Sequence, residues 1–249
     1  MSSSNTIYTF GDGFAHGHIW PEWPQILAAL LPDYQIVNCS GIGAGNEFIF
    51  SNLVNKLIQN PTAIYVALWA GTTRFDKLIQ DSSWDPVIQQ DPAYSKNFQT
   101  TDGNTWWLSS ASQLPQIQKY HAEYVQVEQA QLRTFNYIWT ANQLLKHTQN
   151  YMFSSYRFRF LTDSQQALCQ LHPDMTSFSQ SPELAKFLTK EVQPHPIVHL
   201  EWIKQMLLPT LQINVDPEWL DVLTKRMYNQ NWIPYDIDRS SIWAKIINP

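Results

Sequence analysis

Three short apolar runs near the start of the chain, each followed by a segment of helical spacing, constrain the fold more than any other feature. The runs at residues 7–10, 35–39 and 63–69 have the character of strands buried on both faces. Residues 24–31 and 47–58, between them, carry apolar side chains at helical spacing. Such alternation produces right-handed crossovers and a sheet covered by helices on both faces. The sequence therefore predicts a three-layer α/β/α sandwich of flavodoxin-like type, with about five mostly parallel strands.

The rest of the chain predicts one domain with an insertion. Residues 75–114 are rich in Asp, Ser, Gln, Pro and Trp, and a structureless loop of this length would be abnormal in a compact domain. We expect a cap with short helices of its own there, then a long helix, or two, across residues 115–149 and a fourth strand at 151–155. The predicted organisation is a single domain over residues 1–249, with a helical insertion at 76–150 and a C-terminal extension at 210–249.

Composition excludes several partners. The formal net charge is -5 with 16 Lys and Arg residues and no concentrated basic run, so neither nucleic acid nor an anionic membrane is expected to bind. The first residues lack the features of a signal peptide, and the apolar runs are far shorter than the about 18 residues of a membrane span. Cys39 and Cys169 fit two buried free thiols in a reducing compartment. A cytoplasmic protein is therefore predicted, and its oligomeric state is left open.

Four segments fall where ligands bind in a doubly wound sheet, outside the carboxyl ends of the strands. They are residues 11–13, 38–46, 69–75 and 195–199. Each segment alone is weak evidence for a site. Their order and spacing together are more specific, and they predict a site at one end of the sheet.

These segments resemble the motifs of the SGNH (GDSL-type) hydrolase family. A short β-run precedes the turn Gly11-Asp12-Gly13-Phe14, and a His-Pro-x-x-His sequence begins at His195. The resemblance covers about residues 5–75 and 150–208. It implies the fold of that family and an esterase or acyl-transfer reaction on a small or sugar ester, without a cofactor. Residues 69–75 and the long central helix look more like the divergent members of bacteriophages and marine bacteria than like secreted lipases.

The resemblance also assigns roles to single residues. Gly13 falls where the family has its nucleophilic serine, Gly43 matches the glycine of the oxyanion site, and His195 matches the general base. Glycine has no side chain that could attack a carbonyl, so the usual acyl-enzyme route is closed. The acidic residue expected two or three positions before the histidine is missing, and Glu191 is an off-register substitute.

The third segment departs from the family pattern as well. The oxyanion asparagine has no clear counterpart among Ala70, Gly71, Thr72 and Thr73, although the two threonines could donate in its place or simply satisfy their own loop. Arg74 could bind an anionic substrate, or it could bond carbonyls of its own loop or Asp76.

Two functions of different classes stay open. The first is a hydrolase-like protein that is either inactive or uses Asp12 and His195 to activate water. The alternative to water activation by Asp12 is a structural role, in which its carboxylate bonds only the backbone amides of its own turn. The second is a noncatalytic protein that binds a carbohydrate or a partner protein with an aromatic rim that includes Trp20, Trp23 and the pair at 106–107.

No metal site is expected. Asp12 and the histidines could be read as ligands, but their spacing is not a recognised zinc pattern. The residues in question are Asp12, His16, His18, His195 and His199.

Overall fold

A parallel sheet forms the centre of the protein. The computed structural model describes residues 5–15, 21–72, 74–79, 96–99, 105–110, 119, 123, 126–188, 194–230, 232 and 239–248. Its main sheet has the strand order β2-β1-β3-β7, and all neighbouring strands are parallel. The strands are β1 (Thr6–Phe10), β2 (Gln35–Asn38), β3 (Ile64–Trp69) and β7 (Gln149–Ser154). These are the four strands that the apolar runs predicted.

The register places the ends of the strands side by side. Tyr8 of β1 lies opposite Val37 of β2 and Tyr65 of β3, and Tyr65 in turn lies opposite Asn150 of β7. The chain moves from β1 outward to β2 and then back across β1 to β3, so the strand order reverses between β1 and β3. In open α/β sheets, ligands bind at such a switch point, outside the carboxyl ends of the strands.

Helices cover both faces of this sheet. Ile64, Val66 and Leu68 of β3 belong to one apolar cluster, and Tyr65, Ala67 and Trp69 belong to the other, as the two-residue period of a strand requires. The first cluster packs against α1 (Trp23–Leu30), α6 (Pro196–Trp202) and α8 (Pro217–Tyr228). The second packs against α2 (Asn46–Gln59) and α3 (Val127–Leu145). The three-layer α/β/α fold predicted from the sequence is therefore confirmed.

A second, antiparallel sheet follows β3. It has the order β4-β6-β5, formed by β4 (Arg74–Ile79), β5 (Lys96–Gln99) and β6 (Thr105–Ser110). The sequence led us to expect short helices in this part of the chain, so these strands are a finding of the structure. Because β4 starts only five residues after the end of β3, its first residue remains beside the carboxyl end of the main sheet.

The chain after β7 contributes mainly short helices. They are α4 (Asp163–Leu168), α5 (Met175–Ser179), a 3-10 turn (Ala185–Phe187), α6, a π-helical turn (Ile203–Leu207), α7 (Leu208–Leu211), α8 and α9 (Arg239–Ile247). Before α5, Leu171 makes an isolated parallel bridge to Met152 and so adds one residue to the sheet beyond β7.

Three expectations from the sequence can be compared with the structure: the place of Trp23, the state of the two cysteines and the absence of membrane spans. Trp23 is fully buried in the core and contacts Trp202 edge-on, so the expectation that it lines an exposed rim is wrong. Cys39 and Cys169 are buried free thiols, as predicted. Among the helices of the described residues, none combines the length and apolar character that a membrane span needs.

Candidate functional site

The carboxylate of Asp12 lies at the switch point, in the turn that follows β1. The side chain is 0% exposed, and its Oδ1 accepts hydrogen bonds from the Phe14 backbone N–H at 3.1 Å and from the Ser155 hydroxyl at 3.1 Å. The bond from Phe14 is the local turn bond that the sequence left open as an alternative to catalysis. The bond from Ser155, which directly follows β7, fastens this turn to the far side of β3.

Arg74 places a positive charge beside the Asp12 carboxylate. Its Nη2 atom lies 3.6 Å from Oδ2 of Asp12, and its side chain is 15% exposed. Arg74 is the first residue of β4, and its backbone N–H donates to the Gly71 carbonyl in the loop after β3. Two candidate residues named from the sequence are thus brought together, one from the turn after β1 and one from the start of β4, a few residues after β3.

Tyr156 extends the same cluster. Its side chain hydrogen-bonds Arg74, and its ring lies 5.5 Å from that of Phe14. Burial raises the pKa of the Tyr156 hydroxyl, the charge of Asp12 raises it further, and the Arg74 guanidinium lowers it. We call Asp12, Arg74, Ser155 and Tyr156 the Asp12 cluster. Neither Ser155 nor Tyr156 was identified from the sequence, because their role depends on a strand that lies far along the chain from Asp12.

The loop after β2 is fastened to the Asp12 turn by backbone and amide bonds. The Gly41 N–H donates to the Gly11 carbonyl at 3.2 Å, and the Asn38 side-chain amide donates to the Ala15 carbonyl at 2.8 Å. Gly43 lies within this loop at a φ of 76°, a left-handed conformation that favours glycine. Gly13 is buried in the facing turn. The first and second segments named from the sequence are therefore neighbours.

Asn46 is a functional-site residue that the sequence analysis missed. Its Oδ1 accepts from the Ala70 N–H at 2.8 Å, and its Nδ2 donates to the Ala70 carbonyl at 3.0 Å. This two-point contact joins the start of α2 to the loop after β3. Thr72 is half-buried in that loop, and the predicted site residue Thr73 lies outside the described residues. The signal available in the sequence was an asparagine directly before the predicted helix at residues 47–58.

Asp76 acts as a cap for α2 from a distant strand. Its Oδ1 accepts from the Gly45 N–H at 2.6 Å, and its Oδ2 accepts from the Phe48 N–H at 2.9 Å. Burial raises the pKa of Asp76 to about 7, Glu47 also raises it, and the two backbone bonds and Arg74 lower it. A carboxylate of the protein itself therefore occupies the N-terminal end of this helix, where anions are favoured.

His195 is engaged at both ring nitrogens. It is the N-cap of α6, and Nδ1 accepts from the Ile197 N–H at 3.5 Å. Nε2 lies 3.1 Å from the Trp232 carbonyl, so with Nδ1 accepting, Nε2 carries the proton and donates. The ring also contacts those of Phe187 and Trp232. The backbone N–H of His195 donates to the Phe187 carbonyl at 3.2 Å, so bonds of His195 include those with α6, Phe187 and Trp232, whereas Asp12 contacts Phe14, Ser155 and Arg74.

A second His-Pro pair was overlooked in the sequence. His172 comes directly after the bridge residue Leu171, its N–H donates to the Met152 carbonyl at 2.9 Å, and its ring lies 4.8 Å from that of Phe153. Burial lowers the pKa of this imidazole. Farther on, the Thr176 N–H donates to the Ser155 carbonyl at 3.1 Å. The segment therefore runs from the edge of the sheet to the Asp12 cluster, and the repeated His-Pro sequence was the signal.

His199 is buried on α6. Within the part of the chain that the structure describes, no group of three or more His, Cys, Asp and Glu side chains could hold a metal ion.

Comparisons with known proteins give a fold likeness only. No family model matches the chain, and no curated protein matches it. Among solved structures it is similar to TesA, with 11% identity, a TM-score of 0.47 and coverage of 83% of this chain and 98% of that one. It is also similar to a lipase/acylhydrolase from Enterococcus faecalis, with 12% identity, a TM-score of 0.47 and coverage of 85% and 97%. The psychrotrophic esterase EstA from Pseudoalteromonas sp. has 11% identity, a TM-score of 0.43 and coverage of 87% and 99%. At 11–12% identity these similarities assign no function to this chain, so its function has to be inferred from its own side chains.

Proposed function

We propose that this chain is an SGNH-like protein of the ester-hydrolase type that has lost catalysis and uses the switch point, at the carboxyl ends of β1 and β3, as a binding site. The observation that carries the proposal is the engagement of Asp12. A general base needs a free lone pair within reach of water and substrate. Oδ1 of Asp12 accepts two hydrogen bonds, and Oδ2 has no hydrogen-bond partner among the described residues but lies 3.6 Å from the Arg74 guanidinium. The side chain is 0% exposed, so neither oxygen is open to solvent water in this structure, and we assign the carboxylate a structural role in the turn.

The state of His195 supports the same conclusion. The one basic nitrogen of the neutral ring is Nδ1, which faces the Ile197 N–H, and Nε2 donates to the Trp232 carbonyl, so proton uptake by His195 would disturb the cap of α6. The alternative kept open by the sequence, in which Asp12 and His195 jointly activate water, would require both side chains to leave their present partners. Position 13, which resembles the nucleophile position, carries a glycine in any case.

The ligand we propose for the site at the Asp12 cluster is a small ester or an acylated sugar. Arg74 supports this choice, because its partly exposed guanidinium can donate to a carbonyl or carboxylate oxygen while it stays beside Asp12. Tyr156 supports it as well, because its half-buried ring can form an apolar wall next to that donor. The free, buried thiols of Cys39 and Cys169 favour a cytoplasmic location.

Esterase assays with three variants test the proposal. Wild type and Gly13→Ala should show no turnover of p-nitrophenyl acetate or butyrate above the rate with denatured protein. Gly13→Ser restores only the hydroxyl, so it should gain weak activity at best, since loss of one oxyanion donor alone lowers the rate by about 10² to 10³. Wild-type turnover that disappears in His195→Ala would contradict the loss of catalysis and support water activation.

A further inference from the structure

A pocket of about 520 Å³ lies away from the Asp12 cluster, between α5, the 3-10 turn, α6 and α8. This volume is within the range of about 300 to 1,000 Å³ that is typical of small-molecule sites. Its walls combine the aromatic rings of Phe178, Phe187 and Tyr228 with the polar groups of Glu201, Gln205 and Lys186. We call it the Tyr228 pocket.

Tyr228 is the most exposed aromatic side chain in the wall of the pocket. Tyr228 is 43% exposed, and it is held edge-on to Phe187, with the ring centroids 5.9 Å apart and an interplanar angle of 86°. The ring of Phe187 already has the Lys186 ammonium 5.0 Å from its centroid. Tyr228 is therefore the ring on which a ligand can stack.

The polar wall is held rigidly. Glu201 is only 8% exposed, and its Oε1 accepts from Lys204 Nζ at 2.8 Å and from the Tyr228 hydroxyl at 3.3 Å. Its Oε2 accepts from Gln205 Nε2 at 3.0 Å. A carboxylate has about four acceptor positions, so Glu201 can accept further bonds from a ligand, and the amide oxygen of Gln205 can accept as well.

The charges of the pocket favour an uncharged ligand. Lys204 neutralises Glu201 in a direct ion pair, and the other charged wall residues, Glu183 and Lys186, have opposite signs. A ligand with a net charge would therefore gain little from this site. A pyranose has no charge, an apolar C–H face for an aromatic ring, and hydroxyls that both donate and accept.

We propose that the Tyr228 pocket binds a neutral carbohydrate, with the sugar face on Tyr228 and the sugar hydroxyls on Glu201 and Gln205. The Tyr228 pocket contains no residue of the Asp12 cluster, so the proposal stands whether or not the chain hydrolyses esters. Of the aromatic rim expected from the sequence, Trp23 is buried, whereas Trp20 and the side chains of Trp106 and Trp107 lie outside the described part of the structure.

The test is saturation-transfer NMR followed by titration calorimetry, with maltose, cellobiose, lactose and chitobiose as probes. At least one disaccharide should bind, and Tyr228→Ala should weaken its binding at least tenfold, whereas Tyr228→Phe should change it less than threefold. Glu201→Gln should weaken binding several-fold through loss of the acceptor charge. Trp139→Ala is the matched control, because Trp139 is 42% exposed on α3 and does not line the pocket.

Three results would overturn the proposal. They are no binding of any of the four disaccharides, equal loss of binding in Tyr228→Ala and Trp139→Ala, and binding of glucuronic acid that exceeds that of every neutral sugar. The melting temperature of each variant shows whether the variant is folded. If Tyr228→Ala is unstable, Tyr228→Phe still tests the proposal, because it keeps the ring and should keep binding within threefold.

Discussion

The Arg74 guanidinium lies 3.6 Å from the buried Oδ2 of Asp12, and this pair joins the loops that follow the two strands at the switch point. Breaking a buried ion pair on one side leaves an uncompensated charge, which costs about 3 to 5 kcal/mol. We expect Arg74→Met to lower the free energy of unfolding by about 3 kcal/mol in urea titrations. Arg74→Met combined with Asp12→Asn should recover part of that loss, because no buried charge is then unpaired. A double variant less stable than Arg74→Met alone would show that the pairing is not what Arg74 contributes.

Asp76 should give the protein a component of stability that falls as pH rises. Burial raises its pKa in the folded protein to about 7, well above the ordinary value of an aspartate side chain. Between about pH 4 and pH 7 the folded state therefore retains a proton that the unfolded state has released, and the free energy of unfolding decreases with pH across this window. Glu47, which raises that pKa, and Arg74, which lowers it, are the charged groups that act on this carboxyl.

Urea unfolding of wild type and Asp76→Asn at pH 4.5, 6 and 7.5 measures this component. The stability difference, wild type minus Asp76→Asn, should shrink as pH rises. Asp163→Asn is a suitable control, because Asp163 is exposed in the first turn of α4. A difference that stays constant with pH, or that grows, would refute the assignment to Asp76.

Gly45 should tolerate no side chain. A Cβ at this position would lie 2.7 Å from Oδ2 of Asp76 and 2.9 Å from Cβ of Arg74, so the cap of α2 would have to move. We expect Gly45→Ala to lower stability by about 2 kcal/mol, in the range of overpacked sites. Gly71→Ala is the matched control, since its nearest contact would be the Tyr156 ring at 3.4 Å. Equal melting temperatures for the two variants would contradict the close approach at Asp76.

Asn46, at the start of α2, should contribute strongly to stability because it holds the loop after β3. Replacement by Ala removes the partner of both the N–H and the carbonyl of Ala70, and each buried polar group left unsatisfied costs about 1 to 3 kcal/mol. Asn46→Ala should therefore lower the free energy of unfolding by about 3 kcal/mol. Asn52→Ala, which removes a buried amide bonded within its own helix, should have a smaller effect. Unfolding titrations that rank the two variants in reverse would show that the contact with Ala70 is weak.

The sequence predicted the main sheet because apolar residues are clustered in its strands and helical patterns lie between them, although only β3 is buried along its whole length and β2 is exposed or half-buried. It did not predict β4, where Arg74, Asp76 and Lys77 interrupt the apolar residues. That strand forms only through antiparallel pairing with β6, which local pattern does not show. Asp12 and Arg74 were both candidates, but their pairing depends on the return of the chain across the sheet. His195 resembled the general base of the family. A residue directly before a helix-starting proline is also a typical N-cap. In the structure, His195 is the N-cap of α6.

The most direct test of the lost catalysis is labelling with a fluorophosphonate probe, read by intact-protein mass spectrometry. A serine activated by a base forms a stoichiometric covalent adduct, and its ester substrates show a burst. With glycine at position 13, Asp12 held by Arg74 and both nitrogens of His195 engaged, wild type should remain unlabelled under conditions that fully label a known serine esterase. Stoichiometric labelling of wild type, mapped to any serine and absent in His195→Ala or Asp12→Asn, would contradict the proposal.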